Sequence, residues 1–192
     1  MSLFNLLAWQ RAKPRGFLGR YVAGKMEREA ALRHGWVLSQ LDLQPTDYVL
    51  EVGYACGIDM ARVAQKVTSG LIIGVDHSET MFHMAFKRNQ QHLNTGRMQL
   101  HVGPASKLPF AFPYFDKAFS INVAYYSKEQ AKDFIELKRV LSPGGIAVVA
   151  AYDLSEKAAQ RLESNFRDAL FNDVRVSRRG GMLCLLGAKS IG

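Results

Sequence analysis

The sequence predicts an α/β protein with a doubly wound, mostly parallel sheet of seven strands that ends in an antiparallel hairpin. Three observations lead there. From Tyr48 onward, short apolar runs of strand character alternate with helical patterns of roughly 10 to 15 residues, the signature of βαβ units. The first run, "YVLEVG", breaks on a glycine turn holding Gly53 and Gly57 and reopens as a helix. The tail, "DVRVSRRGGMLCLLGAK", carries two strand-like runs split by Arg179-Gly180-Gly181, a hairpin signal.

Each element can be justified in order. Residues from about Gly24 to Leu43 read as helical, and Pro14, Gly16 and Gly19 separate them from the first few residues. The core alternation is "YVLEVG", helical "IDMARVAQKV", "LIIGVD", helical "SETMFHMAFKRNQQHL", "MQLHVG", "FDKAFSIN", helical "EQAKDFIELKRVL" and "GIAVVAAY". Parallel strands joined in this way take right-handed crossovers that cover both sheet faces. In the helix from Glu129 to Leu141, Ala131, Phe134, Ile135, Leu137 and Leu141 suggest the buried stripe, and Pro143 with Gly144-Gly145 stops the helix and turns the chain. A last helix from about Leu154 to Leu170 precedes the hairpin.

Composition narrows the class. With 192 residues, 48% hydrophobic and 22% charged, the chain fits one globular domain. No apolar run approaches the ~18 residues of a membrane span, and the opening "MSLFNLLAWQRAKPRG" reverses the charge-then-apolar order of a signal peptide. Two cysteines, Cys56 and Cys184, build neither a disulfide framework nor a CxxC pair, so the cytoplasm is the expected compartment. Five histidines include no HxxxH or HExxH spacing, and no metal site is expected. Residues 1–35 hold seven Lys/Arg against two Glu, five of the eight net positive charges. Such a segment suits nucleic acid, anionic lipid or an acidic substrate, or is a solvated helix face.

The chemistry concentrates at the first two strand ends. In an open parallel sheet, ligands bind beyond the carboxyl ends of the strands, where Gly53 and Gly57 fall. Glycine there permits positive φ and close approach of a ligand, although a merely tight turn would use it as well. Asp76 ends the second strand 23 residues after Gly53, near the offset at which an acid meets ribose hydroxyls. The alternative is a cap for the helix that begins near Ser78, but turn and acid together favour the nucleoside reading.

From Leu43 to Ala151 the motifs fall in a familiar order: "VLEVGYACG", "IIGVDHSETM", "VGPASKLPF", "FDKAFSINVAYY" and "ELKRVLSPGG". With them the chain resembles class I S-adenosylmethionine-dependent methyltransferases, in particular the bacterial methyltransferase type 11 family, whose reversed last strand separates it from dinucleotide dehydrogenases. The resemblance implies a Rossmann-like methyltransferase fold, S-adenosylmethionine as cofactor and S-adenosylhomocysteine as product. It implies that Glu51 organises the methionine end, that Gly53, Ala55 and Gly57 form the turn beside it, and that Asp76 binds the ribose. His77 and Met81 follow that acid, Pro104 and Ala105 lie at the adenine, and Asn122 lies near the reactive sulfonium. Two positions depart from the family pattern: Ala55 stands where most members have glycine, and Pro104 where many carry an acid. The resemblance supplies no general base. Tyr125, Tyr126 and Tyr21 are candidates to face the cationic sulfonium, or are plain pocket lining.

A small-molecule acceptor is the expected substrate, methylated by in-line displacement. Nucleic-acid methylation is the alternative: the charge favours it, and Asn122-Val123-Ala124-Tyr125 keeps the ends of an N-P-P-Y motif without its prolines. A non-catalytic cofactor-binding protein is the third reading. Residues 1–45 are expected to act as a helical lid over the domain at 46–192. Hydrogen exchange across residues 10–35 should then slow when S-adenosylhomocysteine binds; unchanged exchange would make the segment a solvated basic arm.

Overall fold

The computed structural model describes residues 32–123 and 127–191. The chain divides between Trp36 and Val37, and nearly all of the shorter unit lies outside the described residues, as does most of the expected lid. Residues 32–39 are helical. Eleven elements follow: β1 (Tyr48–Val52), α1 (Ile58–Val63), β2 (Leu71–Asp76), α2 (Glu79–Asn94), β3 (Met98–Val102), β4 (Phe115–Ile121), α3 (Gln130–Val140), β5 (Leu141–Tyr152), α4 (Glu156–Asp168), β6 (Asn172–Arg179) and β7 (Met182–Ala188).

The seven strands form one sheet in the order β3-β2-β1-β4-β5-β7-β6. The first five are parallel, while β7 runs antiparallel to both β5 and β6. The chain steps outward from β1 to β3 and then returns to place β4 on the other side of β1. Right-handed crossovers in these two directions put α1 and α2 on one face and α3 on the other. Accordingly α1 packs on α2, and α3 on α4. The switch of direction opens a crevice between the ends of β1 and β4.

Strand alternation assigns the two core layers. Leu50 and Val52 of β1, Ile73 and Val75 of β2, and Ala147 and Val149 of β5 join Phe134, Leu137, Leu162 and Phe166 in the main cluster. The intervening residues of β1, Val49 and Glu51, therefore belong to the α1 side. There Gly74 of β2 makes room for α1: a Cβ on it would lie 2.6 Å from Tyr54 Cδ1 and 2.7 Å from Met60 Sδ.

Three sequence expectations shift. The helical pattern after the glycine turn is α-helical only to Val63 and then tapers through turns, with the Gln65 amide bonded to Arg62 and that of Lys66 to Val63. Pro143-Gly144-Gly145 does not separate α3 from the strand; it lies within an irregular start of β5, whose pairing with β4 jumps from Phe115↔Leu141 to Lys117↔Ile146. In α3 the buried stripe is Gln130, Asp133, Phe134, Leu137 and Val140, while Ala131 and Ile135 face solvent. The hydrophobic count set the phase one step off because Asp133, a polar residue, occupies a buried position.

In the tail, Phe166 lies edge-on to Phe134 at 5.4 Å and stacks on Phe171 at 4.5 Å. Gly187 of β7 lies against this stack: a Cβ there would sit 2.6 Å from Phe171 Cβ and 3.0 Å from Phe166 Cε1. Strand propensity favours Val over Gly, but packing opposes it. Gly187→Val is expected to lower stability by about 1 to 3 kcal/mol through overpacking, read as a lower denaturation midpoint with an unchanged slope.

Candidate functional site

The turn after β1 is built from residues with left-handed backbone. Gly53 has φ +82° and donates its amide to Val75 O at 2.7 Å. A Cβ on it would come within 2.3 Å of Val123, so the chain leaving β1 passes directly against the chain leaving β4. Gly57, at φ +73°, is the N-cap of α1. Between them Ala55 also has positive φ, +46°, which costs an L-residue about 1 to 2 kcal/mol. Its amide donates to Asp76 Oδ2 at 2.9 Å, and this charge-assisted bond holds the strained residue in place. Helix α2 braces the same turn: Arg88 Nε donates to Cys56 O and Asn89 Nδ2 to Gly57 O, both at 3.0 Å.

Asp76 is buried at the tip of β2 and serves two elements. Its Oδ1 accepts the Ser78 amide at 2.9 Å, while Ser78, the N-cap of α2, accepts the Met81 amide on its hydroxyl at 3.3 Å. The capping role is thus shared between Ser78 and Asp76. Each Asp76 oxygen, bonded once, retains a lone pair. His77 is largely exposed, its Nδ1 3.6 Å from Asp76 Oδ1.

Glu51 lies beneath the turn, 3% exposed, with Oε2 buried and unpartnered. Burial is the main reason its pKa stands well above the ordinary 4.5, and the carboxylates of Asp59 and Asp76 push it further. A hydrogen bond from the Met60 backbone and the Arg62 charge act in the opposite direction. Tyr54, whose hydroxyl donates to His101 O at 3.3 Å, is pushed up to about 12 by burial and by Asp76.

A cavity of about 560 Å³ opens at the β1/β4 switch. Its lining brings together Gly53, Ala55, Asp76, His77, Pro104, Ala105 and Asn122, seven of the ten cofactor positions named from the sequence. Glu51, Gly57 and Met81 do not line it: Glu51 and Gly57 support the turn from behind, and Met81 sits half-buried in the first turn of α2. Tyr21, Tyr125 and Tyr126 lie outside the described residues. The wall formed by β4 and α3 adds Ser120, Asp133, Phe134 and Leu137, which sequence reasoning missed. The signal available for Asp133 was an acid at a buried helical phase, three residues after Gln130 and four before Leu137.

The cavity carries the features a nucleoside ligand with charged and hydroxyl groups requires. Ser120 Oγ, Asn122 Oδ1 and Asp133 Oδ2 are buried without partners, and the Gly53 contact shows a cradle that a side chain would close. A sheet of this strand order, with such a cavity at its switch point, is the arrangement of the class I S-adenosylmethionine-dependent methyltransferase fold. The chain belongs to the family described as "Methyltransferase domain", which residues 49–145 match. It is similar to the uncharacterized methyltransferase YdaC of Bacillus subtilis, 24% identical over 79% of this chain and 86% of that protein. It is also similar to the ubiquinone/menaquinone biosynthesis C-methyltransferase UbiE of Geotalea daltonii, 26% identical over 71% of this chain and 57% of that one. A solved S-adenosyl-L-methionine-dependent methyltransferase from Methanococcus maripaludis shares the fold, with a TM-score of 0.71, 14% identity and coverage of 80% and 82%. The protein is therefore an S-adenosylmethionine-dependent methyltransferase. Among the described residues no helix is long and apolar enough to cross a membrane.

The Glu51 environment sets a pH dependence. An acid whose folded pKa is raised takes up protons on folding, so it favours the folded state below its unfolded pKa and loses that contribution as pH rises toward the folded value. In ligand-free protein, the stability of Glu51→Gln relative to wild type should increase as pH climbs from near 4.5 to neutrality. Denaturant titrations at several pH values measure this, and parallel stability profiles for the two proteins would contradict it.

Proposed function

We propose that this methyltransferase acts on a small-molecule acceptor, and that the cavity at the β1/β4 switch is its cofactor and acceptor site. The observation that carries the reading is Asp76: a buried carboxylate at the tip of β2, locked by the amides of Ala55 and Ser78, with lone pairs still available at the cavity edge. Such a group suits the two hydroxyls of a ribose. Around it, Gly53 and Ala55 give the backbone approach and His77 flanks the sugar. Pro104 and Ala105 bound the base, and Asn122 offers its free oxygen toward the methionine end. Glu51 acts through the turn it supports, and Gly57 and Met81 through the helix starts they occupy.

S-adenosylmethionine supplies a methyl group on a cationic sulfonium, transferable to a nucleophile by in-line displacement. What this chain contributes is placement. The turn is fixed from three sides, by Asp76, by Arg88 and by Asn89, so the groups lining the cavity hold their positions without reorganising when a ligand enters. Val52, Phe134 and Leu137 keep water from the inner end. The similar UbiE is named for a C-methyl transfer in ubiquinone/menaquinone biosynthesis, which supports a small acceptor over a nucleic acid. The cysteines Cys56 and Cys184 are both free, as a cytoplasmic location favours.

Calorimetry with S-adenosylmethionine, S-adenosylhomocysteine and NAD tests the assignment of the site: the first two should bind and NAD should not. Asp76→Asn keeps the shape of the side chain but removes the charge; it should weaken S-adenosylhomocysteine by about tenfold. Unchanged affinity accompanied by a lower melting temperature would leave Asp76 with its capping role alone. Turnover on RNA rather than on small amines, phenols or activated carbons would overturn the acceptor class.

A further inference from the structure

The β4/α3 wall of the cavity holds two polar side chains that the fold leaves incomplete. Ser120 is 3% exposed with no partner for its hydroxyl, and Asp133 is 7% exposed with no partner for Oδ2. Both line the cavity. Buried polar atoms are almost always paired, so two unpaired ones on one wall mark a place that a ligand completes.

The facing loop shows which part of a ligand belongs there. Glu129, Asp133 and Glu136 are spaced four and three apart, and so share one face of α3. Glu129 Oε2 accepts the Ser106 hydroxyl at 2.9 Å, and Glu136 Oε2 accepts the Leu108 amide at 2.8 Å. Arg139, paired with Glu136, donates to Phe110 O at 2.7 Å. This face is therefore bound to the loop after β3, with Asp133 between two of the anchor points, and Asp133, Ala105 and Ser106 line the same cavity. Pro104 and Ala105 of the loop have no side-chain acceptor, and the Ser106 hydroxyl gives its proton to Glu129. The neighbouring Val52, Phe134 and Leu137 are apolar.

An apolar wall interrupted by the buried Asp133 Oδ2 and Ser120 Oγ fits a flat ring that carries an amino group. We infer that Asp133, on the wall it shares with Ser120, accepts the exocyclic amine of the cofactor's adenine and thereby sets the purine specificity of the site. The inference rests on the cavity being the cofactor site. Ser127 hydrogen-bonds the Asp133 carboxyl, and burial raises its pKa above the ordinary carboxylate value. As a carboxylate Asp133 is an acceptor only, which an N–H matches and a carbonyl oxygen does not.

The test compares S-adenosylhomocysteine with S-inosylhomocysteine, in which a carbonyl oxygen replaces the amine, by calorimetry on the full chain. Wild type should prefer the adenosyl ligand by about tenfold or more, since the inosyl carbonyl would face an acceptor with an acceptor. Asp133→Ala should weaken the adenosyl ligand and bring the two affinities together. Asp133→Asn, which can turn its amide toward either ligand, should also lose the preference while retaining the wild-type fold. A wild type that does not discriminate, or variants that bind both ligands with the wild-type ratio, would overturn the assignment of Asp133 and leave the cofactor site intact. Failure of wild type to bind either ligand would instead overturn the cofactor site itself, and this inference with it.

Discussion

The bond from the Ala55 amide to the Asp76 carboxylate ties the turn after β1 to the tip of β2, and the rest of the site depends on it. The sheet delivers β1 and β2 side by side in register, Glu51 opposite Gly74 and Val52 opposite Val75. Beyond that register the chain must fold back over β2 while leaving a passage above β4. Gly53 makes the bend against Val123, Ala55 continues it with a backbone that an L-residue resists, and the carboxylate holds the bent segment in place. Because the same carboxylate also takes the Ser78 amide, the direction of the turn and the start of α2 are set together.

Helix α2 returns the support from its far end. Asn89 leaves helical geometry, with φ −106° and ψ 17°, and its amide donates to both Ala85 O and Gly57 O. The irregularity lets a residue well inside the helix reach the turn, and Arg88 next to it holds the preceding carbonyl. A glycine at 57 is required for space as well as for φ, since a Cβ would lie 2.4 Å from Asn89 Nδ2. The glycine spacing of the turn thus reflects its packing on α2 in addition to the approach of a ligand.

Much of this was legible in the sequence, for physical reasons that differ from place to place. The strands and the doubly wound order followed from apolar runs and alternation, which backbone hydrogen bonding and burial enforce directly. The departure at Ala55 was visible as a residue type, but its positive φ was not, because the bond that sustains it comes from 21 residues further along. The resemblance implied that Glu51 organises the methionine end, and the pleat that turns it toward α1 and under the turn emerges only from the fold. Asp133 was missed since period counting weighs apolar residues, and a lone buried acid displaces the apparent stripe of its helix. Its meaning emerges only when a loop from another part of the chain is laid against the same face.

The position of β7 has a consequence for how the chain is made. It is the last of the seven strands to be synthesised, yet it lies inside the sheet between β5 and β6. While a nascent chain ends at β6, the edge of β5 is unpaired, and the apolar residues Val149 and Ala151 lack the neighbours Leu183 and Leu185 that share their core layer. Among the described residues strand β6 pairs with β7 alone. Assembly of this half of the domain must therefore wait until the β6–β7 hairpin has left the ribosome. Until then the exposed β5 edge is the segment of the molecule best suited to pair with a foreign strand or to be held by a chaperone.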